Sequence, residues 1–151
     1  MIDALTHCTH ASLKNRVRGH GRDEHGWASL DALRILAAPP VEILSDMRPV
    51  VLIRPKKQYR YGMSVDEMWK ITRGWWGMRR RDYKYALCVH AKIVRGIWRV
   101  SGWDPNSDWA PNKRRALVGV PAEDLWPTYV GGWVGDYLPS KGDQNPFTVI
   151  E

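Results

Sequence analysis

Apolar residues in this chain come in short runs, many of them β-branched, and long helical stripes are rare. Val50-Val51-Leu52-Ile53 is apolar throughout and stops ahead of Pro55, which predicts a short buried strand. Tyr83 to Cys88 and Ile93 to Val100 are two further β-rich runs around His90-Ala91-Lys92, the pattern of a hairpin. Simple alternation along its second arm puts Val94, Trp98 and Val100 on one face and Arg95, Ile97 and Arg99 on the other. Ala116 to Val120 reads as another short strand. Phe147-Thr148-Val149-Ile150 reads as a closing strand after the turn cluster Lys141 to Pro146. Between them, Trp126-Pro127 and Gly131-Gly132 break up the chain before Trp133 to Leu138.

One segment carries a complete helix-start signature. Ser64 and Glu67 have the spacing of a capping box, and Met63 with Met68 occupies the two positions of a hydrophobic staple. The helix is predicted from Val65 to about Arg73, with Gly74 as its stop. Its apolar residues Val65, Met68, Trp69 and Ile71 mostly line one side, leaving Lys70 and Arg73 outside. A shorter helix is predicted upstream, capped by Ser29, carrying Leu30, Leu33 and Leu36, and ended by Pro39-Pro40. Residues 1–47 are therefore an N-terminal extension with a short helix. Residues 48–151 are an α+β domain, a small barrel or strongly curved sheet with flanking helices.

Charge changes this picture because it is sorted along the chain. From Arg48 to Arg115 there are 17 Lys and Arg against 5 Asp and Glu, a surplus of 12. Residues 1–47 hold 5 basic against 6 acidic, and residues 116–151 hold 1 against 5. The same middle segment is rich in indole rings, in a chain with 9 Trp and a single Phe, so indoles must fill core and still leave some for a site. Cations neutralise phosphates and exposed rings stack on bases, so the pattern points to nucleic acid. With 151 residues and 44% hydrophobic content, the chain is long enough for a real core. The N-terminus lacks the apolar core of a signal peptide, and no apolar run is long enough for a membrane span. A cytoplasmic location with no membrane partner is expected.

Signatures of known chemistry are missing. The chain has no Walker loop, no nucleotide-binding glycine fingerprint, no nucleophile elbow and no H-E-x-x-H. Cys8 and Cys88 are too few for a disulfide framework, and Cys88 in its apolar run reads as a buried thiol, with nothing to activate it beside His90. The cluster of His7, Cys8, His10, His20 and His25 matches no zinc spacing. Asp104 and Asp108 sit among Pro and Asn, where turn formation explains them better than metal binding. No cofactor and no metal are expected, and a non-enzyme is favoured while the enzyme question stays open.

Two resemblances add to this reading. Asp23-Glu24-His25-Gly26-Trp27 with Leu30 and Leu33 resembles part of a winged-helix module of the RNA 2′-phosphotransferase family. No catalytic domain of that family follows, so the match is read as a convergent loop-to-helix pattern. Residues 50–150 resemble a small bacterial domain of uncharacterised activity found alone or beside nucleases. The resemblance runs through Val51-Leu52-Ile53-Arg54-Pro55-Lys56, Tyr59-Arg60-Tyr61-Gly62-Met63-Ser64, Thr72-Arg73-Gly74-Trp75-Trp76, Tyr85 to Val89, Ile93 to Trp98, Tyr129-Val130-Gly131 and Gln144-Asn145-Pro146. Its order of strand, helix, arginine-bearing link and hairpin is similar to PUA-like domains, including the EVE and ASCH groups. That likeness implies a compact barrel that binds RNA or modified DNA bases.

The expected function is non-catalytic binding of RNA or DNA, including a modified or flipped base. Lys56, Lys57, Arg60, Arg73, Arg79, Arg80 and Arg81 would contact phosphates, and Tyr59, Trp75 or Trp76 would stack. Arg95 and Arg99 are second-line candidates on the sheet. The alternatives are a protein-interaction module of a defence or modification system, with a nuclease or other protein as partner, and a nucleic-acid-processing enzyme with an unrecognised site. Trp, Tyr and Arg also dominate protein hot spots, so composition does not separate these classes.

Overall fold

A strand made of four consecutive apolar residues needs cover on both faces, and Val50–Ile53 is buried along its whole length. The computed structural model describes residues 33, 37–108, 114–140 and 144–151. The chain divides into two compact units, Met1–Ala37 and Ala38–Glu151. The Ser29 cap, the N-terminal histidines, Cys8 and the winged-helix-like stretch lie outside the described residues. In the first unit, Leu33 and Ala37 are helical and exposed.

The second unit runs β1 (Val50–Ile53), α1 (Val65–Arg73), β2 (Tyr85–His90), β3 (Ile93–Trp103), β4 (Leu117–Pro121), α2 (Trp126–Tyr129) and β5 (Phe147–Ile150). The strands form one five-stranded sheet in the order β4-β3-β2-β1-β5. β1 pairs in parallel with β2, from Val50 opposite Tyr85 to Ile53 opposite Cys88, and the other neighbours are antiparallel. The α+β class holds. The expected barrel does not form, because β5 pairs with β1 and leaves β4 and β5 as separate edges.

A parallel pair needs a long crossover, and residues 54–84 supply it with α1 on the way. Both faces of the sheet are therefore covered. On one face Val50, Leu52, Leu87, Val89 and Ile97 pack against Ile43, Met47, Tyr129 and Val134. On the other, Val51, Ile53 and Ala86 pack with Met78 and Tyr83, and Cys88 and Trp98 pack with Met68 of α1.

The α1 start follows the expected chemistry. The Glu67 N–H donates to Ser64 Oγ at 3.2 Å, and the Ser64 N–H donates to Glu67 Oε2 at 2.9 Å. Met63 packs on the cluster that contains Met68, as a staple should. The buried stripe differs in detail from the expectation. Val65 is 37% exposed, whereas Thr72 is fully buried. The Thr72 hydroxyl donates to the Met68 carbonyl at 2.7 Å, so it is satisfied within its own helix and can face the core. Trp69 stacks on Trp98 with centroids 5.3 Å apart.

The faces of β3 also depart from simple alternation. Cys88 pairs with Gly96 but Val89 pairs with Val94, so Arg95 is an extra bulged residue. Val94 consequently joins Ile97 on one face, while Trp98 lies on the other. Arg95 and Arg99 are parted as well. Arg95 lies over Tyr59, which packs on the Trp98 cluster, and Arg99 lies over Tyr85, which packs on the opposite cluster. Gly96 permits this local geometry, since a Cβ there would overlap the Trp98 ring.

Ser64→Ala should destabilise the protein by about 0.5–2 kcal/mol in chemical denaturation, the usual range for losing a helix cap. Hydrogen bonds from the Ser64 backbone N–H and then its hydroxyl hold the Glu67 carboxyl below its ordinary pKa. The cap's contribution is therefore present above the ordinary Glu range and is lost as pH falls through the lowered value. Glu67→Gln should remove that part of the acid dependence, and an unchanged profile would show that the box contributes nothing.

Candidate functional site

Parallel pairing brings the carboxyl ends of β1 and β2 to the same end of the sheet, where open α/β-type sheets usually hold their ligands. Arg54 and Lys56 leave the end of β1, and His90, Ala91 and Lys92 form the end of β2 and the turn into β3. Together with Val89, Gly135, Leu138, Pro139 and Ser140 they line a cleft of about 480 Å³. None of these described lining residues is Asp or Glu. The Arg54 backbone N–H donates to the Pro146 carbonyl at 2.7 Å, and its guanidinium donates to the Asn145 carbonyl, which fixes the arginine at the rim.

A ring cluster adjoins the cleft through His90. Tyr59 stacks on His90 with centroids 4.6 Å apart and meets Tyr61 edge-on at 5.6 Å. The bulged Arg95 places its guanidinium 5.2 Å from the Tyr61 ring centroid and 5.6 Å from that of Tyr59. Partial burial pushes the Tyr59 hydroxyl pKa up. Tyr61 keeps half of its surface in solvent, so an exposed ring stands beside a cationic cleft.

The residues expected to form one surface fall at two ends of the sheet. Lys56, Lys57, Tyr59, Arg60 and Arg95 belong to the carboxyl end of β1 and β2, with Lys56 in the cleft itself. Arg60 also reaches the Glu67 carboxylate at 4.0 Å on an exposed surface. Arg81 pairs with Glu151, the residue after β5, and Ile150 lies opposite Val50 at the start of β1. That is the amino end of the strand, roughly 13 Å from Arg54 at strand rise per residue.

The other expected residues gather at that far end, and most have structural duties. Arg73 is bound by Asp104 at 2.6 Å. Trp76 is half-buried and donates its indole N–H to the Thr72 carbonyl at 2.8 Å, so it is a packing residue and not an open stacking ring. Trp75 is 46% exposed. Arg79 and Arg81 accept hydrogen bonds at their carbonyls from Tyr83 and Trp103, which makes their backbone an anchor, and the side chains of Arg79, Arg80 and Arg81 are exposed. Arg99 is bound to Asp124 at 2.6 Å, which lowers the aspartate's pKa.

Sequence reasoning did not place Arg54, Tyr61, His90 or Lys92 among the binding residues, and it weighed His90 only as a base beside Cys88. One signal was available for Lys92. A two-residue hairpin turn normally calls for Asn-Gly, and this chain has Ala91-Lys92.

The described residues carry little that resembles a reaction centre. Cys88 is buried and free, and burial pushes its thiol up to about 11. Asp104 turns its own loop, accepting from the Asn106 N–H at 3.0 Å besides holding Arg73. Among the described residues no group of three His, Cys, Asp or Glu could hold a metal ion. No described helix is long and apolar enough to cross a membrane. Compared with protein-family models, curated proteins and solved structures, the chain matches none.

Trp76→Ala should cost about 3 kcal/mol, the low end for a packed indole, while Trp75→Ala should stay within about 0.5 kcal/mol of wild type. Equal effects in thermal or urea unfolding would overturn the assignment of the two rings. Cys88 should react slowly with a thiol reagent until the protein unfolds. Its raised pKa means that its contribution to stability is intact below the ordinary thiol value. That contribution is lost as pH rises from there towards about 11, and Cys88→Ala should flatten this alkaline loss.

Proposed function

We propose that the protein binds nucleic acid without acting chemically on it, through the cleft at the carboxyl ends of β1 and β2. The observation that carries this reading is the convergence of Arg54, Lys56, His90 and Lys92 on one cleft beside the Tyr59 and Tyr61 rings. Phosphates meet the cations and a base meets an exposed ring, the combination by which single strands are bound. The volume of about 480 Å³ falls in the range of pockets that take small organic groups such as a nucleotide. Lys57 and Arg60, exposed on the same loop, extend the cationic track beyond the cleft.

By the resemblance to PUA-like domains drawn from the sequence, a modified or flipped base is the part of the ligand proposed to reach Tyr61. A protein partner is the second reading. It is favoured by the edge strand β4, where Val118 and Val120 are 39% and 62% exposed.

Fluorescence anisotropy with labelled single-stranded RNA, single-stranded DNA and duplex, read across a salt series, separates the two. Binding to at least one of them should weaken steeply as salt rises. Joint replacement of Lys56 and Lys57 by Ala should flatten the log–log salt slope by about 1.4, the value for two single-strand phosphate contacts. Replacing Arg79, Arg80 and Arg81 together should change it less, because they sit at the opposite end of β1. Salt-insensitive binding, or a larger effect from the triple arginine variant, would overturn the cleft as the site.

A further inference from the structure

β4 ends the sheet, and among the described residues no strand lies beyond it. Its neighbours show which backbone groups face outward. The Ala116 carbonyl accepts from the Asp104 N–H at 2.9 Å and the Ala122 N–H donates to the Ile97 carbonyl at 3.0 Å, so these even-numbered residues turn towards β3. Arg115 instead exchanges both of its backbone hydrogen bonds with Trp76, each at 2.8 Å, on the outer side. Backbone direction alternates along a strand, so Leu117, Gly119 and Pro121 point outward, Pro121 with a carbonyl alone. Beside this row, Val118 and Val120 share one face of the strand and are 39% and 62% exposed. The opposite edge is less open, since every residue of β5 is half-buried.

The residues around β4 say what fits against it. Arg114 and Arg115 precede the strand, and Glu123 and Asp124 follow it. A second strand of the same sequence, laid antiparallel, sets the basic start of each copy beside the acidic end of the other. A parallel copy would set like charges side by side. Arg115 and Asp124 already have partners within their own chain, in the Met78 carbonyl and Arg99, so the pair offered between copies is Arg114 with Glu123, both exposed.

The same antiparallel pairing has one natural register, centred on Gly119. Each Gly119 then exchanges its N–H and carbonyl with the other, and each Leu117 N–H meets a Pro121 carbonyl. Val118 of one copy lies opposite Val120 of the other, so the exposed valines cover one another. The ladder cannot run further in either direction. Trp76 occupies the outer side at Arg115, and the chain turns back to Ile97 at Ala122, at the point where the partner would reach it.

We propose that the protein pairs with a second copy of itself through β4, antiparallel about Gly119, joining two five-stranded sheets into one continuous sheet. This does not depend on the nucleic-acid reading above. A five-residue edge buries less than the roughly 1,200 Å² of a standard stable interface, so the pairing is weak, with a dissociation constant in about the micromolar range.

The test is sedimentation velocity on the full chain at low salt, from about 1 to 500 µM, a range that brackets such a constant. The apparent mass should approach that of a dimer as concentration rises. Val120→Lys places a charge on the open edge and should raise the dissociation constant about tenfold or more, with a melting temperature close to wild type because the site is exposed. Arg114→Glu and Glu123→Arg should each weaken pairing by about fivefold, and the double variant should recover it. A protein that stays monomeric across the range overturns the proposal and leaves the β4 edge to a different partner. A dimer unmoved by Val120→Lys places the interface elsewhere and also overturns it. Failure of the charge-swapped double variant to recover, with both single variants weakened and folded, overturns the antiparallel register.

Discussion

The parallel pairing of β1 with β2 is the constraint on which the rest depends. Two strands that run the same way cannot be joined by a tight turn, so the chain must leave at Ile53 and return at Tyr85 across a face of the sheet. That return carries α1, buries the face with Cys88 and Trp98, and obliges β1 to be apolar on both sides. It also sets two strand ends side by side with nothing of the sheet beyond them. An antiparallel β1–β2 pair would have put Arg54 and His90 at opposite ends. The cleft is thus a consequence of topology before it is a consequence of any particular side chain.

The surplus of positive charge in the middle of the chain has two different uses. Many of the arginines hold loops to the sheet: Arg48 donates to the carbonyls of Ile43 and Glu151, Arg115 to that of Met78, and Arg73 and Arg99 are tied to aspartates. Lys84 likewise donates to the Asp46 carbonyl at 2.8 Å. A guanidinium can satisfy several carbonyls in irregular segments, which a domain with short strands and long links has in abundance. The cations around the cleft form a second group, distinguished by where the backbone ends and not by residue type, and one of them, Arg54, shares the first duty through the Asn145 carbonyl. Net charge along the sequence registers both groups alike. A count of cations therefore overstates a binding surface unless the structural share is first subtracted.

What was legible in the sequence follows from how local each signal is. The capping box at Ser64 and Glu67 and the apolar run of β1 are complete within a few residues, and both elements stand where they were expected. The hairpin too was legible, because its turn and both arms are contiguous. The face assignment in β3 failed at a single residue: a bulge at Arg95 inverts the parity of everything before it, and no local pattern announces an unpaired residue. The barrel failed for a longer-range reason, since closure is decided by which strand β5 joins, and its partner β1 lies at the other end of the sheet-forming chain, with Val50 opposite Ile150. Among site residues, Lys56, Tyr59 and Arg95 were singled out by type. Arg54, His90 and Lys92 gain their relevance only when two strand ends meet.

The cleft draws its wall from three stretches far apart in sequence: the exit of β1, the β2–β3 turn, and residues 135–140. The last stretch is held to the turn by main-chain hydrogen bonds through Gly131, Gly132 and Val134, and to the N-terminal side by the Ile43 N–H donating to the Tyr137 hydroxyl at 3.0 Å. Arg54 is bound in turn to the backbone that leads into β5. Each wall is therefore fixed by partners from another part of the chain, and no single segment can keep its position if the others leave. A site built this way is rigid while the sheet is intact and is lost as a unit when the sheet opens. That rigidity is what allows a strained turn to survive at Ala91 and Lys92: the energy stored there is small beside the long-range contacts that would have to break before it could relax.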